Sequence, residues 1–119
     1  MTVQHVTLEL LRADVDACVE FYELLGFERV DAPPSLADRA AWMQAGATQI
    51  HLMWVEEPMV APKGHVAVVA PDYDAVVGAL RGGGFEVEPR AEHWGAARSY
   101  VRDPAGHLVE VMAAPPPMG

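Results

Sequence analysis

The chain has 119 residues and only one cysteine, Cys18. A single cysteine excludes an internal disulfide and a metal cluster built from thiolates, and it is consistent with a reducing, cytoplasmic compartment. Cys18 falls on an apolar helical stripe, so we expect a buried, unreactive thiol there instead of a nucleophile. The N-terminus also lacks the basic and apolar pattern of a secretion signal. Both observations predict a cytoplasmic protein.

Basic residues are scarce as well, because 8 Lys and Arg stand against 17 Asp and Glu, which gives a formal net charge of −9. Such a charge repels phosphate backbones and anionic lipids, so neither nucleic acid nor a membrane is an expected partner. A cationic small molecule is compatible with it. No apolar run reaches the roughly 18 to 20 residues that span a bilayer. With 51% hydrophobic residues, the sequence predicts one globular domain over residues 1–119.

What the sequence does contain is an internal repeat. HVTLELLRADVDACVEFYELLGF at residues 5–27 returns in outline as GHVAVVAPDYDAVVGALRGGGF at residues 64–85. Each copy begins with an alternating strand, continues into an acidic helix start such as Asp14, Asp16 or Asp72, and ends in an apolar helical stripe closed by Gly-Phe. Three more strands are predicted after each helix, and in the second copy the first of them is FEVEPR at residues 85–90. The prediction is therefore an α+β fold of paired βαβββ modules that form a half-open mixed β-sheet cup, with the helices on its outer face.

Proline-rich stretches set the predicted boundaries. Pro58 and Pro62 mark a connector, and three consecutive prolines near the C-terminus cannot continue a strand. We predict a first module at residues 3–55, a connector at 56–64, a second module at 65–113 and a flexible tail at 114–119.

A hairpin is predicted to close each module. The first turns at Ala45-Gly46-Ala47. The second turns at Asp103-Pro104-Ala105-Gly106, where proline and glycine occupy the second and fourth positions typical of a type I turn.

The first and last strands of each module alternate between an apolar and a polar face. The apolar face must pack under the helices, since apolar surface left in water costs about 25 cal/mol per Å². The polar face carries one ligand-capable residue on each of these four strands, namely His5, His51, His65 and Glu110. Imidazole nitrogens and carboxylate oxygens bind Zn, Ni, Co, Mn or Fe(II). Any one of the four is an ordinary polar residue by itself, but four at equivalent positions of a repeat favour a divalent-metal site.

Other residues are weaker candidates for the same site. A register slip of one residue would turn His51 away from the other ligands. His107, at the edge of the second turn, is expected to be exposed and not to be a ligand. His93 either closes the mouth of the cup or lies in solvent. Four residues are candidate substrate contacts: Thr7, Glu9, Gln49 and Trp94.

Five motifs, HVTLEL, FYELLGF, QIHL, GHVAV and DPAGHLVEV, closely resemble the vicinal oxygen chelate superfamily over residues 3–113. That superfamily includes glyoxalase I, bleomycin-resistance proteins, fosfomycin-resistance thiol transferases, methylmalonyl-CoA epimerase and extradiol dioxygenases. The resemblance implies ligands on the first and fourth strands of each module, which here are His5, His51, His65 and Glu110. It also implies a homodimer that binds a small-molecule substrate or drug.

The sequence departs from several of these relatives. Glyoxalase I usually has a glutamate where this chain has His51. Fosfomycin-resistance enzymes hold a phosphonate, whereas this chain has no lysine beyond Lys63 and no extended C-terminal basic segment. Bleomycin-binding members are acidic, dimeric and metal-free, and they stack the drug on aromatic rings. The net charge and the tryptophans Trp42, Trp54 and Trp94 fit that last group, whereas the four ligand-type residues do not.

The resemblance and the ligand pattern together predict a divalent-metal-dependent enzyme of the glyoxalase or dioxygenase type, with lyase or isomerase chemistry favoured. The substrate is expected to chelate the ion through two neighbouring oxygens, with Glu110 or a bound hydroxide as the candidate catalytic base. One alternative is a metal-free protein that sequesters a cationic drug, and a second is a thiol transferase of the fosfomycin-resistance type. A third is a fold whose cup serves only assembly.

Overall fold

The structure is a computed structural model that describes residues 1–118. The chain divides into two compact units, of which the first is Met1–Val60 and the second begins at Ala61. This boundary falls inside the connector predicted at residues 56–64. No helix of the described part of the chain has the length and apolarity needed to cross a membrane.

The first unit has a four-stranded sheet and one long helix. Its elements are β1 (His5–Leu10), a short 3-10 turn (Arg12–Asp14), α1 (Val15–Leu24), β2 (Glu28–Val30), β3 (Ala40–Ala45) and β4 (Thr48–Trp54). The strand order is β1-β4-β3-β2. β1 and β4 are parallel, and the other two pairs are antiparallel. The sheet is therefore mixed and open at both edges.

The second unit repeats this plan. Its elements are β5 (His65–Val69), α2 (Tyr73–Gly82), β6 (Glu88–Arg90), β7 (Arg98–Arg102) and β8 (Leu108–Met112). The strand order is β5-β8-β7-β6, with β5 and β8 parallel and the others antiparallel. The predicted α+β fold with paired βαβββ modules is confirmed.

Strand register shows that the repeat is precise. Thr7 on β1 pairs with His51 on β4, and Ala67 on β5 pairs with Glu110 on β8. Because Ala67 follows Thr7 by 60 residues (67 − 7) and Glu110 follows His51 by 59 (110 − 51), the two modules align strand for strand. His51 and Glu110 therefore occupy equivalent positions.

The cores form on the predicted faces. Ile50 and Leu52 of β4 are buried, as are Val109 and Val111 of β8, while the residues between them point to the opposite face. The thiol of Cys18 is fully buried on α1, as expected. Apolar burial of this kind is what holds each helix against its own sheet.

The helix ends match the sequence only in part. Gly26 and Gly84 follow the two helices with φ of 93° and 88°, the left-handed conformation that glycine adopts at low cost. Asp14 and Asp72 stand at the N-cap positions, but neither side chain makes a capping hydrogen bond. Asp14 and Asp72 therefore favour the helices only through their negative charge near each helix N-terminus.

The second hairpin turn forms as predicted. Gly106 N donates to Asp103 O at 2.9 Å, and Gly106 has φ of 93°. The Asp103 carboxylate also accepts from the backbone N–H groups of Ala105 and His107, each at 2.9 Å. This side chain fixes the turn from inside.

Two expectations need correction. The strand predicted over FEVEPR is only β6 (Glu88–Arg90), and Phe85 N still donates to Leu80 O in the turn that ends α2. His107 is buried and not exposed, with 7% of its surface accessible, because it shares the side of β8 that carries Val109 and Val111.

Candidate functional site

The four predicted ligands lie in two pairs, one in each unit. The rings of His5 and His51 stack with centroids 4.0 Å apart, and His65 Nε2 lies 3.0 Å from Glu110 Oε1. Across residues 1–118, no group of three or more His, Cys, Asp or Glu is placed to hold a metal ion. The structure thus brings the predicted ligands together as two separate pairs, one in each unit.

In the first unit, three rings stand in a row across neighbouring strands. Trp42 on β3 pairs with His51 on β4, and their rings are parallel to within 2° at 4.1 Å. His5 covers the other face of His51. Because both faces of the His51 ring are covered, its plane is fixed and only its edge remains available.

Hydrogen bonds orient the His51 ring further. Gln49 Nε2 donates a hydrogen bond to Gln44 Oε1. Gln49 Oε1 therefore faces His51 Nε2 at 2.8 Å and accepts a hydrogen bond from its N–H. The lone pair of His51 then resides on Nδ1. Burial, with a smaller contribution from His5, lowers the pKa of His51 and so favours the neutral imidazole. Neutral imidazole is the form that binds metal ions.

In the second unit, both nitrogens of His65 face acceptors. Nδ1 lies 2.8 Å from the carbonyl oxygen of Lys63, which can only accept, so Nδ1 carries a proton. Nε2 faces the carboxylate of Glu110, which also accepts when ionised. A proton or a metal cation is therefore required between His65 Nε2 and Glu110 Oε1.

Glu110 is held by a residue that the sequence analysis did not single out. Its Oε2 accepts a hydrogen bond from Arg98 Nε at 2.8 Å, and both side chains are buried. Burial alone raises the pKa of Glu110, but the bonds from Arg98 and His65 outweigh it and keep the pKa below its ordinary value. Strand alternation could have indicated Arg98, because it shares a face with Tyr100, the residue paired with Glu110.

Each unit has a cavity beside its pair, lined by both histidines in the first unit and by His65 but not Glu110 in the second. The cavity of the first unit, about 620 Å³, is lined by both histidines of the pair and by Thr7, Trp42 and Gln49, among others. The cavity of the second unit, about 730 Å³, includes among its lining residues His65, Tyr100, Lys63, Arg90 and Arg102. Two of the predicted substrate contacts, Thr7 and Gln49, therefore line a cavity beside predicted ligands.

The other two predicted substrate contacts have backbone partners. Glu9 Oε1 accepts from the backbone N–H of Met59 at 2.9 Å. Trp94 Nε1 donates to the carbonyl oxygen of Ala114 at 2.8 Å, and the Arg98 guanidinium lies 5.8 Å from its ring centroid. His93 is exposed, with its ring 6.5 Å from that of Trp94. These contacts fix Trp94 beside Arg98.

The sequence of residues 2–111 matches the family model of the Glyoxalase/Bleomycin resistance protein/Dioxygenase superfamily. The match covers nearly the whole chain, and the protein belongs to this superfamily. Among curated proteins, none matches the sequence.

Solved structures share the fold. A protein from Bacillus anthracis assigned to the glyoxalase family superposes with a TM-score of 0.84 at 25% identity, covering 94% of this chain and 93% of that one. A lactoylglutathione lyase from Agrobacterium tumefaciens gives a TM-score of 0.71 at 22% identity, with 93% and 92% covered. The oxidase ChaP-H2 gives 0.76 at 16% identity, with 97% and 94% covered.

Proposed function

We propose that this protein is a cytoplasmic, divalent-metal-dependent enzyme of the glyoxalase or dioxygenase type. The proposed ligands are His5, His51, His65 and Glu110, and the substrate is a small molecule with two neighbouring oxygens. The observation that carries the proposal is the contact between His65 Nε2 and Glu110 Oε1, where two acceptor atoms require a cation between them. A divalent metal meets that requirement and so does a proton, and elemental analysis distinguishes the two.

The two atoms are close enough to bind one ion, and their separation is also that of an ordinary hydrogen bond. His65 Nε2 and Glu110 Oε1 are 3.0 Å apart. In the other pair, the lowered pKa of His51 keeps its imidazole in the neutral form that a metal needs. The donor set fits Zn, Ni, Co, Mn or Fe(II).

A bound metal ion would polarise the substrate oxygens and stabilise negative charge that develops on them. The chain's own residues provide the rest. Glu110 is the candidate acceptor for a substrate proton, and ionisation of its carboxylate is favoured by Arg98. Thr7 and Gln49 line the cavity beside His5 and are proposed to orient the substrate.

The structural relatives support a reaction class and not a particular substrate. One is a lactoylglutathione lyase and another is an oxidase. Both share the fold, so lyase or isomerase chemistry is proposed first and oxidative chemistry on a chelated substrate is its nearest rival. His51 stands where glyoxalase I usually has a glutamate, which argues for a substrate other than a glutathione hemithioacetal.

Elemental analysis tests the proposal. The protein is purified without a chelating resin, and divalent metals are measured before and after reconstitution with Zn, Ni, Co, Mn and Fe(II). A stoichiometric metal that is lost in His65→Ala and retained in His93→Ala supports the proposal. Absence of stoichiometric metal after every reconstitution contradicts it.

A metal-free binding function is the second candidate, and the three stacked rings favour it. His5, His51 and Trp42 contribute to a cavity in a protein with a net charge of −9, which suits a cationic aromatic ligand. Titration of chelator-treated protein with bleomycin, followed by calorimetry, distinguishes the two. Micromolar or tighter binding that needs no metal and weakens in Trp42→Ala supports this candidate.

We also propose that the protein is a homodimer. The resemblance described in the sequence analysis implies this assembly, and sedimentation equilibrium tests it directly. A mass of one chain, 12.9 kDa, at micromolar concentration contradicts it.

A further inference from the structure

We propose that Arg98 is a positioning residue that holds the Glu110 carboxylate so that a single oxygen, Oε1, is presented toward His65. This inference rests on the proposed function, because it concerns how one of the proposed ligands is offered to a cation. Neither the sequence pattern nor the superfamily match assigns a role to Arg98.

The carboxylate of Glu110 has two oxygens, and they have different partners. Oε2 accepts from Arg98 Nε at 2.8 Å, whereas Oε1 lies 3.0 Å from His65 Nε2. Glu110 is 6% exposed, so its two oxygens have little contact with solvent. As long as Arg98 keeps Oε2, Glu110 provides one oxygen and not two to a cation beside His65.

Arg98 is itself fixed from several sides. Nη1 donates to the carbonyl oxygen of Ala91 at 2.8 Å, and Nη2 donates to the hydroxyl oxygen of Tyr100 at 3.2 Å. The guanidinium also lies 5.3 Å from the ring centroid of Tyr100 and 5.8 Å from that of Trp94. The indole N–H of Trp94 is held in turn by Ala114 O. The Nε–H of Arg98 is therefore aimed at Glu110 by groups outside the proposed ligand set.

The fork of the guanidinium is essential to this arrangement. Arg98 donates from three different nitrogens to three different acceptors, and a lysine ammonium cannot reproduce that planar geometry. Arg98→Lys therefore keeps the charge and loses the orientation. Residues that orient a metal ligand through a hydrogen bond typically change metal affinity about 10- to 100-fold when replaced.

A double-mutant cycle on metal-free protein tests the inference without any enzyme activity. His65→Phe removes the nitrogen that faces Glu110 and keeps an aromatic ring beside Tyr100, whose centroid is 5.4 Å away. The unfolding equilibrium constant is measured in urea for wild type, Arg98→Met, His65→Phe and the double variant. Arg98 and His65 act on one carboxylate. The factor by which His65→Phe raises the unfolding equilibrium constant should therefore be at least about fivefold smaller in the Arg98→Met background than in wild type.

The control replaces another arginine of the same unit. Arg81 is exposed on α2 and donates to the carbonyl oxygen of Val87 at 3.2 Å, and Arg81→Met should leave the effect of His65→Phe unchanged. If Arg98→Met does not fold, Arg98→Lys takes its place in the cycle. Equal effects of His65→Phe with and without Arg98 overturn the inference.

A cobalt titration adds a second readout. If wild type binds Co²⁺, Arg98→Lys should bind it about 10- to 100-fold more weakly and with an altered visible absorption spectrum, while Arg81→Met matches wild type. Identical affinity and spectrum in Arg98→Lys overturn the inference. A further outcome is coupling in the double-mutant cycle while wild type binds no Co²⁺. That result contradicts the proposed metal enzyme and supports Arg98 as the residue that positions Glu110.

Discussion

His51 and Trp42 stack face to face, with ring centroids 4.1 Å apart and ring planes within 2° of parallel. With His5 on the opposite face, the His51 ring is held in one plane before any ligand arrives. A side chain fixed in advance loses little entropy when it binds, which is the advantage of a preorganised site. The stack is also a testable part of the fold.

Replacement of Trp42 tests this stack. Trp42→Ala should lower the free energy of unfolding by about 2 kcal/mol, because it removes both the stacking and a half-buried apolar surface. Trp42→Phe keeps a ring against His51 and should cost less than about 1 kcal/mol. Urea unfolding measures both. Equal losses in the two variants would show that ring stacking on His51 contributes nothing.

The lowered pKa of His51 predicts a pH dependence of stability. Below about pH 6.5 the unfolded chain takes up a proton at this position before the folded protein does, so folding becomes less favourable as the pH falls. Thermal melting of metal-free protein between pH 8 and pH 5 should therefore show a smaller drop in His51→Phe than in wild type. His93→Phe, at an exposed position, is the matched control and should retain the full drop.

Glu110 predicts a second dependence, in more acidic solution. Its pKa is lowered in the folded state, so its contribution to stability is complete above the unfolded pKa of about 4.3 and is lost as the pH falls through the folded value. Glu110→Gln should be less stable than wild type at pH 7, and the difference should narrow on acidification.

Glu88→Gln provides the comparison for Glu110. Glu88 pairs with Arg90 at 2.9 Å on the surface, where an ion pair contributes less than about 1 kcal/mol. The loss of unfolding free energy at pH 7 should be much smaller in Glu88→Gln than in Glu110→Gln. A similar loss in the two variants would contradict the account of a buried, doubly bonded carboxylate.

Much of this architecture follows from the sequence because its patterns are local. Period-two alternation placed His5 and His51 on one face and Ile50 and Leu52 on the other, and the structure shows those faces. The glycines after each helix and the Asp103 to Gly106 turn were also recognisable, since each depends on a few neighbouring residues. The internal repeat then indicated the equivalence of His51 and Glu110, which strand register confirms.

The features that the sequence did not reveal depend on cross-strand geometry. Nothing in the alternation indicates that Trp42 and His51 lie flat against each other, because ring planes depend on side-chain torsions. The bond from Arg98 to Glu110 joins diagonal positions on β7 and β8, which only an exact register defines. The position of His107 beside a turn suggests that it is exposed, but its alternation with Val109 places it on the buried side of the sheet.

A pair of glycine substitutions tests the backbone account. Gly106 has φ of 93° in the hairpin turn, so Gly106→Ala should destabilise the protein by about 1 to 2 kcal/mol. Gly78 lies within α2, and a Cβ added there meets no atom within 4 Å. Gly78→Ala should stabilise the protein by about 0.5 to 1 kcal/mol through helix propensity. Thermal unfolding measures both changes in stability. A stabilising Gly106→Ala or a destabilising Gly78→Ala would contradict the backbone conformation assigned at that position.

The most direct measurement of the central claim is X-ray absorption spectroscopy of zinc-loaded protein, which counts and identifies the ligand atoms. The account predicts a first shell of nitrogen and oxygen at about 2.0 to 2.1 Å, with scattering from three imidazole rings and none from sulfur, and the loss of one ring in His65→Ala. A zinc ion with fewer than three imidazole rings, or with the same ligand shell in His65→Ala, would contradict it.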